Sequence, residues 1–80
     1  MMLGEGTPIE ITEVVPVLNR YTDRYIRLEP GEKGMIYQPT GINDLIRRLR
    51  WYEVVGKQGA VIFHVALRED MFRSLKKDND

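Results

Sequence analysis

Three arginines crowd one short stretch of this sequence and are its best candidates for binding chemistry. Between residues 41 and 50 the apolar side chains follow the i, i+3, i+4, i+7 spacing of one helix face, at Ile42, Leu45, Ile46 and Leu49. This spacing predicts a short amphipathic helix whose remaining arc carries Arg47, Arg48 and Arg50. Asp44 lies one turn before Arg48 and is placed to neutralise part of its charge.

Aromatic residues extend this basic stretch into a candidate binding surface. The surface consists of Arg24, Tyr25, Arg27, Tyr37, Arg47, Arg48, Arg50 and Trp51. Arginine beside exposed rings is the combination that single-stranded nucleic acid needs, because guanidinium groups hold phosphate while rings stack on bases. The same residue types are favoured as anchors of protein interfaces. A third interpretation keeps Trp51 and Tyr52 in the core and leaves the arginines on the solvent face of a helix.

Catalytic chemistry has little support in this sequence. His64 is the only histidine and stands in the most apolar stretch, where we predict a hydrogen-bonded position in the core or on the back of a sheet. Without cysteines, one histidine does not complete a usual zinc site. Ser74 has no base nearby in the sequence, and the paired carboxylates flank turns or open a helix. We therefore expect no catalytic residue, no metal and no cofactor.

The composition is typical of a single small domain without covalent cross-links. The chain has 80 residues, no cysteine, and 12 basic residues against 12 acidic ones. That balance argues against a strongly basic nucleic-acid binder, although the middle of the chain is locally basic. No apolar run approaches the roughly 18 residues of a membrane helix, and the first residues do not resemble a signal peptide. We expect a cytoplasmic protein that does not bind membranes.

Alternating apolar residues and β-branched residues predict five strands. They cover residues 8–13, 24–29, 35–38, 51–55 and 60–67. Pro30 and the glycines after it predict a turn that joins the second and third strands in a hairpin. The last strand is nearly continuous in apolar residues, so we predict that it is central. Its core-facing residues should be Val61, Phe63 and Val65, with His64 on the opposite side.

Residues 68–77 predict a second short helix, with acidic residues first and lysines last, as the helix dipole favours. Three apolar residues lie on one side of it, Met71, Phe72 and Leu75. They either cap an open end of a barrel or form a ridge that docks on another protein chain. Because a small domain without disulfides gains core by sharing such a ridge, we expect self-association.

The predicted order is β-β-β-α-β-β-α, a mostly β fold with two short helices. It fits a small five-stranded OB-like or SH3-like barrel. The alternative is an open α+β sheet with both helices on one face. We expect the domain to cover residues 8–77, after a flexible tail of residues 1–7 and before a frayed end of residues 78–80.

These observations favour a non-enzymatic interaction or assembly module. It would bind a protein partner through the arginine and aromatic surface and would form a homo-oligomer. The alternative is an OB- or SH3-like nucleic-acid-binding protein that uses the same surface. Acidic residues are interspersed along that surface and favour the first hypothesis, because they offset the positive potential that phosphate binding requires.

Overall fold

Seven strands make up most of residues 2–76, the part of the chain that the computed structural model describes. In chain order they are β1 (Pro8–Ile11), β2 (Val15–Asn19), β3 (Arg24–Leu28), β4 (Lys33–Asp44), β5 (Leu49–Gln58), β6 (Val61–Arg68) and β7 (Phe72–Ser74). A 3-10 turn, Glu69–Met71, lies between β6 and β7. The strands form a five-stranded antiparallel sheet in the order β6-β5-β4-β1-β7 and a two-stranded sheet of β2 and β3.

The core combines one face of the large sheet with side chains of β2 and β3. Its buried residues are Ile9, Ile11, Val15, Leu28, Ile36, Tyr52, Val54, Phe63, Val65, Leu67 and Phe72. The predicted alternation in β6 is confirmed for Phe63 and Val65, which are fully buried, with His64 on the other face. Val61 has the same phase but is 42% exposed, because it lies at the turn between β5 and β6.

The predicted helices and the predicted barrel are both wrong. No helix of seven or more residues occurs between residues 2 and 76, and the two sheets do not close into an OB-like or SH3-like barrel. The alternative α+β sheet fails for the same reason, because it also needs the two helices. The described helical structure includes nothing long and apolar enough to cross a membrane. A small, compact, β-rich domain is the part of the prediction that holds.

The residues predicted as the first helix form the far end of the β4–β5 hairpin. Asn43 pairs with Arg50, Asp44 pairs with Leu49, and residues 45–48 make the turn. A helix this short is marginal in water unless its apolar stripe packs on a core. Strand pairing lengthens β4 and β5 instead, and it leaves most of the stripe in solvent.

The second predicted helix is replaced by the end of β6, the 3-10 turn and β7. Because β7 pairs with β1, Phe72 lies opposite Ile11. Phe72 is buried, and its ring meets the ring of Tyr52 edge-on with 6.0 Å between centroids. The edge strand thus places a large aromatic side chain in the main core. Residues 77–80, with the predicted frayed end, lie outside the described residues.

Two predicted strand arrangements are also wrong. The hairpin of residues 24–29 and 35–38 does not form, since β3 pairs with β2 while β4 pairs with β1 and β5. The predicted central strand, β6, is an edge strand, and β4 is central. One face of β6 packs on the core, and Asn19 covers part of its edge by bonding to the backbone of Ile62 and His64. The apolar residues of this edge strand are therefore accounted for by its core-facing side, and part of its free backbone edge is covered by Asn19.

The segment before β1 contacts the large sheet at several points. The Leu3 N–H donates to the Tyr52 hydroxyl at 3.1 Å, and the Gly6 N–H donates to the Ile36 carbonyl at 2.8 Å. Thr7 is buried, and its carbonyl accepts the N–H of Ile36 at 2.9 Å. Residues 3–7, predicted as part of a flexible tail, therefore add hydrogen bonds to the packed domain.

Candidate interaction site

The most exposed aliphatic side chains of residues 2–76 lie together at the far end of the β4–β5 hairpin. Residues 42–48 form this hairpin tip. Ile46 is 95% exposed, Leu45 is 84% exposed and Ile42 is 66% exposed. Single exposed aliphatic residues are common on protein surfaces, whereas a cluster of large ones is typical of contact sites. The tip is therefore the first candidate for a binding surface.

Asp44 holds the turn of the hairpin tip in one conformation. Its Oδ1 accepts the backbone N–H groups of Ile46 at 3.1 Å and Arg47 at 3.0 Å. Its Oδ2 accepts the Arg47 guanidinium at 2.7 Å. The backbone and side-chain hydrogen bonds from Arg47 hold the pKa of Asp44 below its ordinary value. Arg48 completes the turn with a φ of 60° in the left-handed region.

A bulge in β4 changes the direction of the strand before the tip. The β4–β5 register shifts between Pro39 and Asn43. Gly41 has a φ of 84°, which glycine adopts without steric cost. The Thr40 hydroxyl accepts the N–H of Ile42 at 2.9 Å and donates to the Trp51 carbonyl at 3.2 Å. Such bulges bend strands and reorient side chains, so this one contributes to the outward position of Ile42.

An open cavity of about 480 Å³ lies at the base of the tip. Its lining residues are Asn43, Asp44, Leu45, Arg48, Leu49, Arg50 and Glu69. Glu69 connects the cavity to the end of β6, because its Oε1 accepts the backbone N–H of Arg50 at 2.8 Å. Arg68 lies beside it, with its guanidinium 3.8 Å from Asp44 and 5.9 Å from the ring centre of Trp51. The cavity combines charged groups with an aliphatic wall.

The eight predicted surface residues lie on three separate elements. Arg24, Tyr25 and Arg27 belong to β3, where Tyr25 is 79% exposed and Arg27 pairs with Glu29 at 2.7 Å. Tyr37 lies in the middle of β4, where its ring contacts His64. The other four gather at or beside the hairpin tip, namely Arg47, Arg48, Arg50 and Trp51. The structure therefore brings half of the predicted surface together.

The predicted apolar ridge does not form as one helix face. Phe72 is 5% exposed and belongs to the core. Met71 is half-buried and packs against that core, and Leu75 is half-buried beyond β7. Phe72 and Met71 thus pack with the core, although not as the cap of a barrel.

His64 belongs to a polar cluster on the outer face of the large sheet. Its Nε2 is 2.7 Å from Oε1 of Glu53, and Gln38 donates to Oε2 of Glu53 at 2.9 Å. An ionised carboxylate only accepts hydrogen bonds, so Nε2 carries the hydrogen. The Tyr37 ring meets the His64 ring edge-on at 5.4 Å. In residues 2–76 no three potential metal ligands gather in one group, and this cluster ties β4, β5 and β6 together.

Glu53 is expected to make the free energy of unfolding depend on pH in the acid range. Hydrogen bonds from Gln38 and His64 lower its pKa from the ordinary value of 4.5. A lowered pKa in the folded state means that the ionised form stabilises the fold. This contribution is complete above pH 4.5 and is lost as the pH falls through the lowered pKa.

Urea unfolding of the parent and of Glu53→Gln at a series of pH values measures this effect. The parent should be more stable at neutral pH, and the difference should shrink steadily below pH 4.5. Gln38→Ala should reduce the pH dependence of the parent, because it removes the strongest cause of the lowered pKa. A difference between parent and Glu53→Gln that stays constant into the acid range contradicts this account.

Sequence reasoning missed two features, one at the site and one in the fold that supports it. The exposure of the hairpin tip was missed because its apolar spacing was assigned to a buried helix stripe. Asn19 lies outside the five predicted strands, yet its buried amide joins β2 to β6. The only local signal was an asparagine at the end of an apolar run.

Comparisons with protein-family models, curated proteins and solved structures find no match.

Proposed function

We propose that the protein is a non-enzymatic interaction module that inserts its hairpin tip into an apolar pocket of a protein partner. The observation that carries this proposal is the exposure of Ile42, Leu45 and Ile46 around one braced turn. Fully burying an aliphatic side chain of this size contributes about 1.5–3 kcal/mol. The three side chains thus provide a driving force for association that the isolated domain leaves unused.

The bracing of the tip also supports the proposal, because a preformed loop loses little conformational freedom on binding. Asp44 bonds to the backbone of the turn, and Thr40 bonds to the backbone of the bulge. Neither set of hydrogen bonds uses the apolar side chains, which stay available to a partner. Association therefore orders mainly side chains.

The distribution of charge favours a protein partner over a nucleic acid. Between residues 2 and 76, four arginines lie 2.6–2.7 Å from a carboxylate oxygen, namely Arg27, Arg47, Arg68 and Arg73, while Arg48 and Arg50 form no such pair. Phosphate binding needs positive potential that is not compensated in this way. The tip also presents aliphatic side chains rather than rings on which bases stack. The nucleic-acid hypothesis further assumed an OB- or SH3-like barrel, which is absent from residues 2–76.

Replacing Ile46 with serine is expected to abolish docking without unfolding the domain. Because this side chain is 95% exposed, the free energy of unfolding should change by less than about 0.5 kcal/mol. Peptides selected on the parent protein from a random display library should bind the variant at least about tenfold more weakly, as expected for loss of a central anchor. Fluorescence anisotropy measures this loss, and urea unfolding measures stability.

Val14→Ser is the matched control, because Val14 is an exposed aliphatic residue between β1 and β2. It should bind the selected peptides as the parent does. Equal binding of the peptides by Ile46→Ser and the parent contradicts the proposal. A monomeric parent that binds single-stranded oligonucleotides more tightly than about 10⁻⁶ M at physiological salt also contradicts it. Self-association that Ile46→Ser abolishes in sedimentation would make a second copy the partner.

A further inference from the structure

The carboxylates of the cavity beneath the hairpin tip already accept hydrogen bonds from the protein itself. Asp44 accepts the backbone N–H groups of Ile46 and Arg47 and the guanidinium of Arg47. Glu69 accepts the backbone N–H of Arg50 at 2.8 Å. Asp44 is therefore paired within the chain, whereas Glu69 accepts a single backbone N–H.

The cationic groups of the cavity are less engaged. Arg48 and Arg50 line it, and neither guanidinium forms an ion pair or hydrogen bond with another residue between 2 and 76. Leu45 and Leu49 provide an aliphatic wall beside them. The unused chemistry of the cavity is thus that of two arginines without an acidic partner next to an apolar surface, which suits a carboxylate on an aliphatic stem.

We propose that this cavity receives the carboxylate of an aspartate or glutamate side chain of the docking partner. The inference rests on the proposed function, because the same partner must cover the tip. Leu45 belongs both to the tip and to the wall of the cavity, so a partner seated on Leu45 also covers the cavity. The volume of about 480 Å³ accommodates a complete acidic side chain.

The exposure of the site indicates that the carboxylate comes from a partner rather than from a free anion. Arg48 is exposed, and an arginine–carboxylate pair in contact with water contributes little because water and salt screen it. A docked partner excludes that water and holds its carboxylate in position. In a desolvated interface, the two-pronged pairing of guanidinium with carboxylate becomes strong and selective.

The peptides selected on the parent provide the probe for this site. We expect them to share an aspartate or glutamate at a constant distance from their apolar residues. Replacing that residue with its amide should weaken binding to the parent at least about tenfold, as loss of one partner of a buried charge pair does. The Arg48→Gln/Arg50→Gln variant should bind the acidic peptide and the amide peptide equally. Fluorescence anisotropy measures both affinities.

Lys33→Gln/Lys57→Gln is the charge-matched control, because both lysines are exposed and lie at the other end of the β4–β5 hairpin. This variant should keep the preference for the acidic peptide. Tip-dependent peptides without a constant acidic residue overturn the inference and leave the proposed function standing. A preference for the acidic peptide that persists in Arg48→Gln/Arg50→Gln also overturns the inference and leaves the proposed function standing. Peptide binding that Ile46→Ser leaves unchanged overturns the proposed function, and the inference with it. Acetate that binds the parent as tightly as the peptides would assign the site to a free anion and overturn the role of the partner.

Discussion

Replacing Asn19 with alanine is expected to lower the free energy of unfolding by about 2–4 kcal/mol. The Asn19 side chain is fully buried. Its Nδ2 donates to the Ile62 carbonyl, and its Oδ1 accepts the N–H groups of Tyr21 and His64, each at 3.0 Å. Alanine removes all three hydrogen bonds and leaves the backbone groups without these partners. Each unsatisfied buried group costs about 1–3 kcal/mol, less where water reaches it.

Urea unfolding measures this loss, and hydrogen exchange locates it. The His64 amide should exchange faster in Asn19→Ala, because Asn19 is its hydrogen-bond partner on the edge of β6. Asn43→Ala is the matched control, since Asn43 is exposed on the hairpin. It should change stability by less than about 0.5 kcal/mol. Equal stability of the two variants would mean that Asn19 does not connect β2 to the large sheet.

Replacing Gly56 with valine is expected to destabilise the domain by about 3 kcal/mol, the upper part of the usual range for overpacking. A Cβ at this position would lie 2.7 Å from Cζ of Phe63 and 3.1 Å from the carbonyl oxygen of Lys33. Phe63 is fully buried, so its ring has no free space into which to move. Strand propensity alone predicts the opposite sign, because valine is favoured in strands and glycine is not.

A double-mutant cycle with Phe63→Leu tests the proposed clash. Leucine is shorter than phenylalanine, so the double variant should lose less stability than the two single variants added together. Gly4→Val is the control, since a Cβ on Gly4 would have no atom within 4 Å. Additive effects in the cycle, or a Gly56→Val variant more stable than the parent, would show that the position of the Phe63 ring does not require a glycine at residue 56.

These two substitutions and those of the hairpin tip address separate properties of the molecule. Asn19 and Gly56 contribute to contacts inside the packed domain, whereas Ile46 and Arg48 are exposed at the hairpin tip. Positions without shared partners usually have additive effects. Stability and binding can therefore be altered independently, which makes a loss of binding at the tip interpretable.

The sequence by itself determined the conformation of most strands and, where alternation is clear, the side that is buried. In residues 8–13 alternation puts Ile9 and Ile11 on one face, which is buried, and in β6 it puts Phe63 and Val65 opposite His64. This succeeded because successive side chains point to opposite faces of any strand, whatever that strand pairs with. The sequence also identified the arginine-rich stretch as a candidate for binding, although it assigned that stretch to a helix.

Only the tertiary structure decided which strands pair and what residues 42–50 become. An i, i+3, i+4, i+7 pattern produces a stable helix when a core covers its apolar stripe. Here strand pairing forms instead, because β4 and β5 continue past their core residues Ile36 and Tyr52. The same dependence on distant residues applies to Asn19, whose partners in β6 lie 43 and 45 positions along the chain. Such contacts depend on the competition among all possible pairings, and no local stretch of sequence contains that information.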